Sequence, residues 1–337
     1  MLPENAPKPD HSVGELLVSY KATEGAARYF CKMCGAHLFF QRFETEAWQI
    51  ATGVLEKVDG FVTFERHIYV EDTVDGGFSD WLPTITDRPL ERWAMESSDN
   101  DEPLLGGYAS KRPEISKVNK AQGKLHAHCQ CGGVEMYIAR PSARSSDITA
   151  SWPDVLHHFD TGDASMHENE TWWLRANKQK FLGGCCTCDS CRLAVGFEAI
   201  QWAFIPVNDI SLDAEGKEPF TPDFGTLRMY RSSEGTRRRF CGTCGATVFW
   251  ESDTRPDLID VAVGLLDAPE GARAEQWLEW TTERVSFRED AVERAEELVS
   301  WLEKGLAEWG KKVQDREGPP EEVKKQQQRW RNGKEKS

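Results

Sequence analysis

The sequence has no apolar run of the roughly 18 residues that a membrane-spanning helix needs, and its start, MLPENAPKPD, lacks a basic-then-apolar signal pattern. Basic residues are few relative to acidic ones, 41 against 56 among 337 residues, for a net charge of −15. Because phosphate binding needs clustered positive charge, a surface built for nucleic acid is disfavoured. We expect a soluble protein of the cytoplasm, with the nucleus as the alternative and no membrane partner.

Cysteine is the informative residue, because all ten copies are clustered. A reducing compartment disfavours disulfides, so clustered cysteines indicate metal ligands or redox pairs. The clusters are CxxC at Cys31 and Cys34, CxC at Cys129 and Cys131, CCxCxxC at Cys185, Cys186, Cys188 and Cys191, and CxxC at Cys241 and Cys244.

The two CxxC segments are related in sequence. RYFCKMCGAHLFF at 28–40 and RRFCGTCGATVFW at 238–250 are identical at 7 of 13 aligned positions, at an offset of 210. Only the second has further cysteine clusters before it, so the first corresponds to the C-terminal half of a module. We expect a shortened sequence of a longer protein, or else a gene product that has lost its beginning.

Short segments rich in branched and aromatic residues predict a mainly β fold. Residues 289–310, in contrast, place apolar side chains at helical spacing and predict an amphipathic C-terminal helix. The basic segment 321–337 is typical of a solvated tail. The insertion 141–180 is longer than most connections, and we expect it to pack in part as a lid over a site. The predicted strands are 16–20, 37–43, 133–139, 202–207, 247–252 and 258–264.

The predicted organisation has four parts. They are a partial module at 1–95, a linker at 96–123, a complete zinc-binding module at 124–288, and the helix with its charged tail at 289–337. Exposed strand edges of the partial module favour a homo-oligomer.

The outer clusters of the complete module predict a structural zinc site. A tetrahedral ion takes two ligands from each of two tight turns, and Cys129–Cys131 with Cys241–Cys244 supply such pairs. A thioredoxin-like redox pair is the alternative, but no βαβ pattern surrounds either CxxC.

The central cluster predicts a different kind of site. Cys186, Cys188 and Cys191 are three thiols within six residues, and three protein ligands leave one zinc position for water or substrate. The alternative is a second structural site, in which Cys185 or an external ligand completes four. We favour the open site, with Cys185 as a passive core residue.

Taken in order, HCQCGGV (128–134), CTCDSCRLAVG (186–196) and FCGTCGATVF (240–249) resemble the glutathione-dependent formaldehyde-activating enzyme/centromere protein V family. The resemblance covers about residues 124–287, and the first segment matches only the last third of the pattern. It implies an Mss4-like β fold and two zinc ions in the complete module. By the family's pattern the outer four cysteines hold the structural ion, and Cys186, Cys188 and Cys191 hold the catalytic one.

The resemblance further implies an enzyme that joins formaldehyde to glutathione, a carbon–sulfur lyase-type reaction. Arg192, directly after the last ligand, is then a candidate contact for a carboxylate of the peptide thiol. The chain departs from the pattern in its long insertion, which suggests a fungal-like tandem subfamily. It also departs in its first half-module, where Cys31 and Cys34 form only an incomplete metal site.

Two non-enzymatic functions remain as alternatives. One is a zinc-stabilised binding module of the centromere protein V type, and the other is a zinc-storage or redox-sensing protein. A labile fourth ligand at the central cysteines would favour the enzyme, whereas a fourth protein thiolate would favour the binding module.

Overall fold

The structure is a computed structural model that describes residues 14–96, 102–104, 123–157 and 171–317. The basic tail at 321–337, most of the predicted linker 96–123 and the middle of the insertion, residues 158–170, lie outside the described residues. Within the described part, no helix is both long and apolar enough to cross a bilayer.

The architecture is mainly β, as predicted, with two α-helices in the described ranges: α1 (Asp189–Val195) and α2 (Glu296–Glu317). The strands, in chain order, are β1 (Leu17–Thr23), β2 (Ala26–Cys31), β3 (His37–Arg42), β4 (Trp48–Ile50), β5 (Arg66–His67), β6 (Thr84–Ile85), β7 (Arg88–Pro89), β8 (Glu91–Arg92), β9 (Lys124–His128), β10 (Glu135–Ala139), β11 (Leu174–Arg175), β12 (Lys180–Cys186), β13 (Ile200–Pro206), β14 (Ile210–Ser211), β15 (Leu227–Ser233), β16 (Thr236–Cys241), β17 (Thr247–Ser252), β18 (Leu258–Ala262) and β19 (Leu278–Trp280).

The strands form one large sheet and several smaller ones. The large sheet has the order β11-β12-β13-β18-β17-β16-β15, and β19 pairs with β12 in parallel. A second sheet has the order β1-β2-β3-β4, and a third has the order β14-β10-β9.

Strand β18, with the sequence LIDVA, lies in the middle of the large sheet and is buried along its whole length. Asp260 is therefore a carboxylate in an otherwise apolar core strand, which is an uncommon place for one.

The two CxxC segments fold into hairpins with the same strand register. In β1–β2, Val18 lies opposite Phe30, and in β15–β16, Arg228 lies opposite Phe240, the partner 210 residues further on. Both hairpins have an irregularity at the same relative position before the turn. The related sequences thus adopt related backbone structures.

These two hairpins pack against each other in a reciprocal manner. A Cβ on Gly245 would lie 2.6 Å from the Phe30 ring, and a Cβ on Gly35 would lie 2.6 Å from the Phe240 ring. Both glycines have positive φ, so the turn and the close approach of the ring both require glycine. His37 adds a hydrogen bond, donated from its Nε2 atom to the Gly245 carbonyl oxygen at 2.8 Å.

Helix α2 begins seven residues later than the predicted segment at 289, because Arg288–Ala291 form a 3-10 turn. Its apolar side chains Leu298, Leu302 and Leu306 are buried, as helical spacing predicts. The helix packs on the N-terminal part of the chain, where a Cβ on Gly305 would collide with the Trp81 backbone. It therefore joins the two cysteine-bearing regions into one packed body.

Candidate metal centres and the adjoining cavity

Four cysteines from distant parts of the chain meet at one point. The Sγ atoms of Cys129, Cys131, Cys241 and Cys244 all lie within 4.8 Å of one another, and those of Cys131 and Cys241 are 3.5 Å apart. A tetrahedral zinc ion with bonds of about 2.3 Å separates its sulfurs by about 3.8 Å. The four thiols therefore fit a closed zinc site.

The backbone around this cluster is arranged for thiolates. The amide of Val134 donates to Cys129 Sγ at 3.3 Å, and the amides of Thr243 and Cys244 donate to Cys241 Sγ at 3.4 Å. Hydrogen bonds from the Cys244 thiol and from Thr226 lower the pKa of Cys241 to about 4 against the opposing effect of burial. Ionised sulfur is the form that binds metal.

The central cluster brings three thiols together at the start of α1. The Sγ atoms of Cys186, Cys188 and Cys191 lie within 4.8 Å of one another. Cys188 is the N-cap of α1, and its sulfur accepts the Cys191 amide at 3.3 Å. Among the described residues, no fourth cysteine, histidine or carboxylate joins this group. The donor set suits a soft metal ion with one position left open.

Cys185 is buried but is absent from both cysteine groups. It precedes Cys186 in β12, and successive side chains of a strand point to opposite faces. Burial raises the pKa of the Cys185 thiol to about 12. It is therefore a neutral core residue, set apart from its neighbour by the pleat of the strand.

A buried arginine faces the central cluster. The Nη2 atom of Arg238 lies 3.2 Å from Cys191 Sγ, and its Nε atom donates to Ser190 Oγ at 2.8 Å. Bonds from the Cys186 and Cys188 thiols, together with the Arg238 charge, hold the pKa of Cys191 well below its usual value although burial opposes them. The guanidinium thus stabilises the Cys191 thiolate.

A cavity of about 560 Å³ opens on this cluster. Aromatic side chains form much of its wall: Trp152, Trp202, Phe204, Trp250 and Phe287. Trp152 comes from the insertion, whereas the neighbouring Trp172 and Trp173 are buried and do not line the cavity.

A second arginine and a carboxylate complete the polar part of the cavity. Arg255 Nη2 donates to Asp260 Oδ2 at 2.8 Å, and the guanidinium lies 4.7 Å from the centre of the Trp250 ring. Burial raises the pKa of Asp260 although Arg255 opposes the shift. Within the described residues, Nη1 of Arg238, Nη1 of Arg255 and Oδ1 of Asp260 have no hydrogen-bond partner. Buried polar atoms of this kind are costly unless a ligand satisfies them.

Arg192, the candidate carboxylate contact, points elsewhere. Its guanidinium donates to the carbonyl oxygens of Gly53 and Leu55 and to Asp189 Oδ1, and it does not line the cavity. Its role toward a substrate stays a prediction, whereas the structure shows it joining α1 to the N-terminal part of the chain.

Cys31 is the last residue of β2, and Cys34 lies in the turn that follows. Among the described residues, neither belongs to a group of three or more metal-ligating side chains. Two histidines of the N-terminal part of the chain are engaged by backbone carbonyls, His37 by Gly245 and His67 by Leu82, each at 2.8 Å. A further group, His126, His128 and Asp267, lies at the surface, where His126 contacts Glu135.

The residues that sequence reasoning missed are Arg238, Arg255 and Asp260. The internal repeat could have indicated Arg238, because Arg28 occupies the same place three residues before the first CxxC. The sequence could also have indicated Asp260, because it is the one charged residue of the apolar segment LIDVA. Arg255 lies in a polar loop before β18, and nothing local distinguishes it.

The chain is similar to one family model over part of its length and to a solved structure. Among the curated proteins, none matches the chain. The crystal structure of a Rhodobacter sphaeroides protein has 16% sequence identity over 46% of this chain and 99% of that chain, with a TM-score of 0.26. Residues 174–283, which include both the central cysteines and the second CxxC, match the family model of the glutathione-dependent formaldehyde-activating enzyme, whose Mss4-like fold is mainly β, as this structure is.

Proposed function

We propose that the chain is a zinc-dependent carbon–sulfur lyase-type enzyme, resembling S-(hydroxymethyl)glutathione synthase, that acts on a thiol and an aldehyde. The observation that supports it is the group of Cys186, Cys188 and Cys191, which opens on an aromatic cavity of about 560 Å³. A closed site with four protein thiolates would leave no position for a substrate.

In this proposal the chain holds two ions. Cys186, Cys188 and Cys191 would bind the catalytic zinc, and the outer four cysteines would bind the structural one. A zinc ion bound by three thiolates supplies a Lewis acid that lowers the pKa of a thiol or polarises a carbonyl group. The complete module, 124–288, would carry the reaction, and glutathione would be the thiol.

The cavity arginines would bind and orient the thiol substrate. Arg238 and Arg255 each have an Nη1 atom without a partner among the described residues, and a glutathione-like peptide carries two carboxylates. Charge-assisted hydrogen bonds between guanidinium and carboxylate are roughly twice as strong as neutral ones. The aromatic walls would exclude water from the reacting atoms.

The chemistry needs one proton transfer and no oxidant. The thiol sulfur bonds to the aldehyde carbon, the carbon–oxygen π pair moves onto oxygen, and that oxygen takes the proton that the thiol releases. Asp260 is the group of this chain suited to hold the proton in transit, because its Oδ1 atom has no partner in the described structure and burial raises its pKa. In reverse, the same steps cleave the adduct.

The test is the rate at which formaldehyde and glutathione form their adduct in the presence of the zinc-loaded full chain. We expect acceleration above the spontaneous rate, its loss in Cys191→Ser, and its retention in Cys185→Ala. Cys185 is the matched control, because it is buried beside the cluster without belonging to it. No acceleration by the parent, or equal acceleration by Cys191→Ser, would favour the zinc-stabilised binding module instead.

A further inference from the structure

A second cavity, of about 620 Å³, lies on the N-terminal sheet. Strands β2 and β3 form its floor, and Val195 and Gly196 at the end of α1 contribute to its rim. No cysteine lines it within the described residues, so it is separate from both candidate metal centres.

This N-terminal cavity lies on strands β2 and β3, at the position that the cysteine-lined cavity occupies on the related strands β16 and β17. Arg28 lies opposite Phe40 in the first sheet, and Arg238 lies opposite Trp250 in the large sheet, with the offset of 210 in both pairs. All four residues line their respective cavities. The two pockets are therefore equivalent by strand position.

The neighbouring strands, β4 in the first sheet and β18 in the large sheet, are equivalent in position but differ in the side chain that they place in the cavity. Gln49 lies opposite Phe40, as Asp260 lies opposite Trp250, and each lines its cavity. An uncharged amide thus takes the place of the buried carboxylate. With neither thiols nor this carboxylate, the N-terminal cavity has the groups for binding and lacks those for the reaction.

The arginines of the two cavities also differ in their partners. Arg238 is held by Cys191 and Ser190, whereas the Arg28 side chain makes no hydrogen bond or ion pair with any described residue. Its guanidinium lies 5.7 Å from the centre of the Phe40 ring. Arg28 is therefore available to an anionic ligand.

The other charges of the cavity define the ligand. Arg42 and Glu96 neutralise each other in an ion pair, and Glu44 is exposed and has no partner among the described residues. Glu44 lies in the bend after β3, which ends at Arg42, and it lines the same cavity as Arg28. A short zwitterionic peptide suits this pair of charges, because it carries a carboxylate for Arg28 and an ammonium group for Glu44.

We propose that this N-terminal cavity is a second, non-catalytic binding site for a short zwitterionic peptide, with Arg28 as its carboxylate contact. The cavity and its charges stand independently, and only the choice of a glutathione-type probe rests on the proposed function. Occupancy of this site would place peptide against Val195 and Gly196, at the end of the helix that contains Cys191 and has Cys188 as its N-cap.

Calorimetric titration of the zinc-loaded full chain with S-methylglutathione, which has no free thiol, tests this proposal. We expect binding that Arg28→Gln weakens at least tenfold and that Cys191→Ser retains. Arg231→Gln is the matched control, since Arg231 is an exposed arginine on β15 that lines neither cavity. Glu44→Gln should weaken binding in the same direction.

The outcomes separate the two proposals. If the parent binds the peptide but forms no adduct, and Arg28→Gln loses that binding, the second site is supported and the proposed reaction is contradicted. Titration curves that coincide for the parent and Arg28→Gln, with the variant folded by circular dichroism, would overturn the second site and leave the reaction standing.

Discussion

The guanidinium of Arg238 donates a hydrogen bond to the thiol of Cys191, with Nη2 and Sγ 3.2 Å apart. One residue lies in β16, three positions before the second CxxC, and the other lies in α1. The contact couples the hairpin of the four-cysteine site to the three-cysteine cluster.

Replacing Arg238 by glutamine should weaken metal binding at the central cluster. The lost guanidinium no longer stabilises the Cys191 thiolate, and partners of metal ligands typically contribute about 10–100-fold in affinity. Competition with a chromophoric chelator measures the effect. Arg237→Gln is the control, because Arg237 pairs with Glu251 and Asp253. An unchanged zinc affinity in Arg238→Gln would show that the contact does not tune the thiolate.

The two cysteine groups should differ in their contribution to stability. We expect two zinc ions per chain, with Cys186→Ser losing one and remaining folded, because its cluster lies beside a cavity. Cys241→Ser should unfold the chain. In the described structure, only the four-cysteine group links Cys129 and Cys131, in the turn between β9 and β10, to the second CxxC. Elemental analysis with circular dichroism measures both. A single ion in the parent would contradict the two-site assignment.

Alanine at Gly245 should destabilise the contact between the two hairpins. The new Cβ would lie 2.6 Å from the buried Phe30 ring, and the positive φ adds about 1–2 kcal/mol of backbone strain. Gly60→Ala is a matched control, because Gly60 has the same φ of 78° with nothing within 4 Å of its Cβ position. Urea unfolding should show a larger loss for Gly245→Ala, and equal losses would mean that the ring contact contributes nothing.

The carboxyl of Asp209 should make stability fall as pH rises. Burial raises its pKa to about 6, above the ordinary value of 3.8, so the folded chain holds this proton more tightly than the unfolded chain. Its contribution is present below about pH 4 and is lost as pH rises through about 6, amounting to about 1–3 kcal/mol. The difference in unfolding free energy between the parent and Asp209→Asn, measured from pH 4 to 7, should show this slope. A constant difference would contradict it.

Cys31 should be alkylated before Cys185 in the zinc-loaded chain. Burial acts to raise the pKa of Cys31, but hydrogen bonds from the Cys34 and Met33 amides and from the Cys34 thiol outweigh it and lower the pKa. Cys185 is buried with a pKa of about 12. Timed iodoacetamide labelling with peptide mass spectrometry measures the order, and equal labelling rates would contradict the assigned environments.

Much of the fold followed from local patterns. The strand predicted at 247–252 coincides with β17, and the segment 37–43 differs from β3 by one residue. These segments are short, rich in branched and aromatic residues and bounded by turn residues, so the local sequence is enough to predict a strand. The predicted C-terminal helix is present in the expected segment but starts later, at Glu296, because Arg288–Ala291 form a 3-10 turn.

The grouping of Cys186, Cys188 and Cys191 also needed only the sequence, since three thiols within six residues cannot lie far apart. Other parts of the site depended on tertiary structure. Arg238 and Asp260 reach the cavity from β16 and β18, which are placed by pairing between strands distant in sequence. Local periodicity determines which face of a strand a side chain occupies. It does not determine which strands become neighbours, because that depends on packing over the whole core.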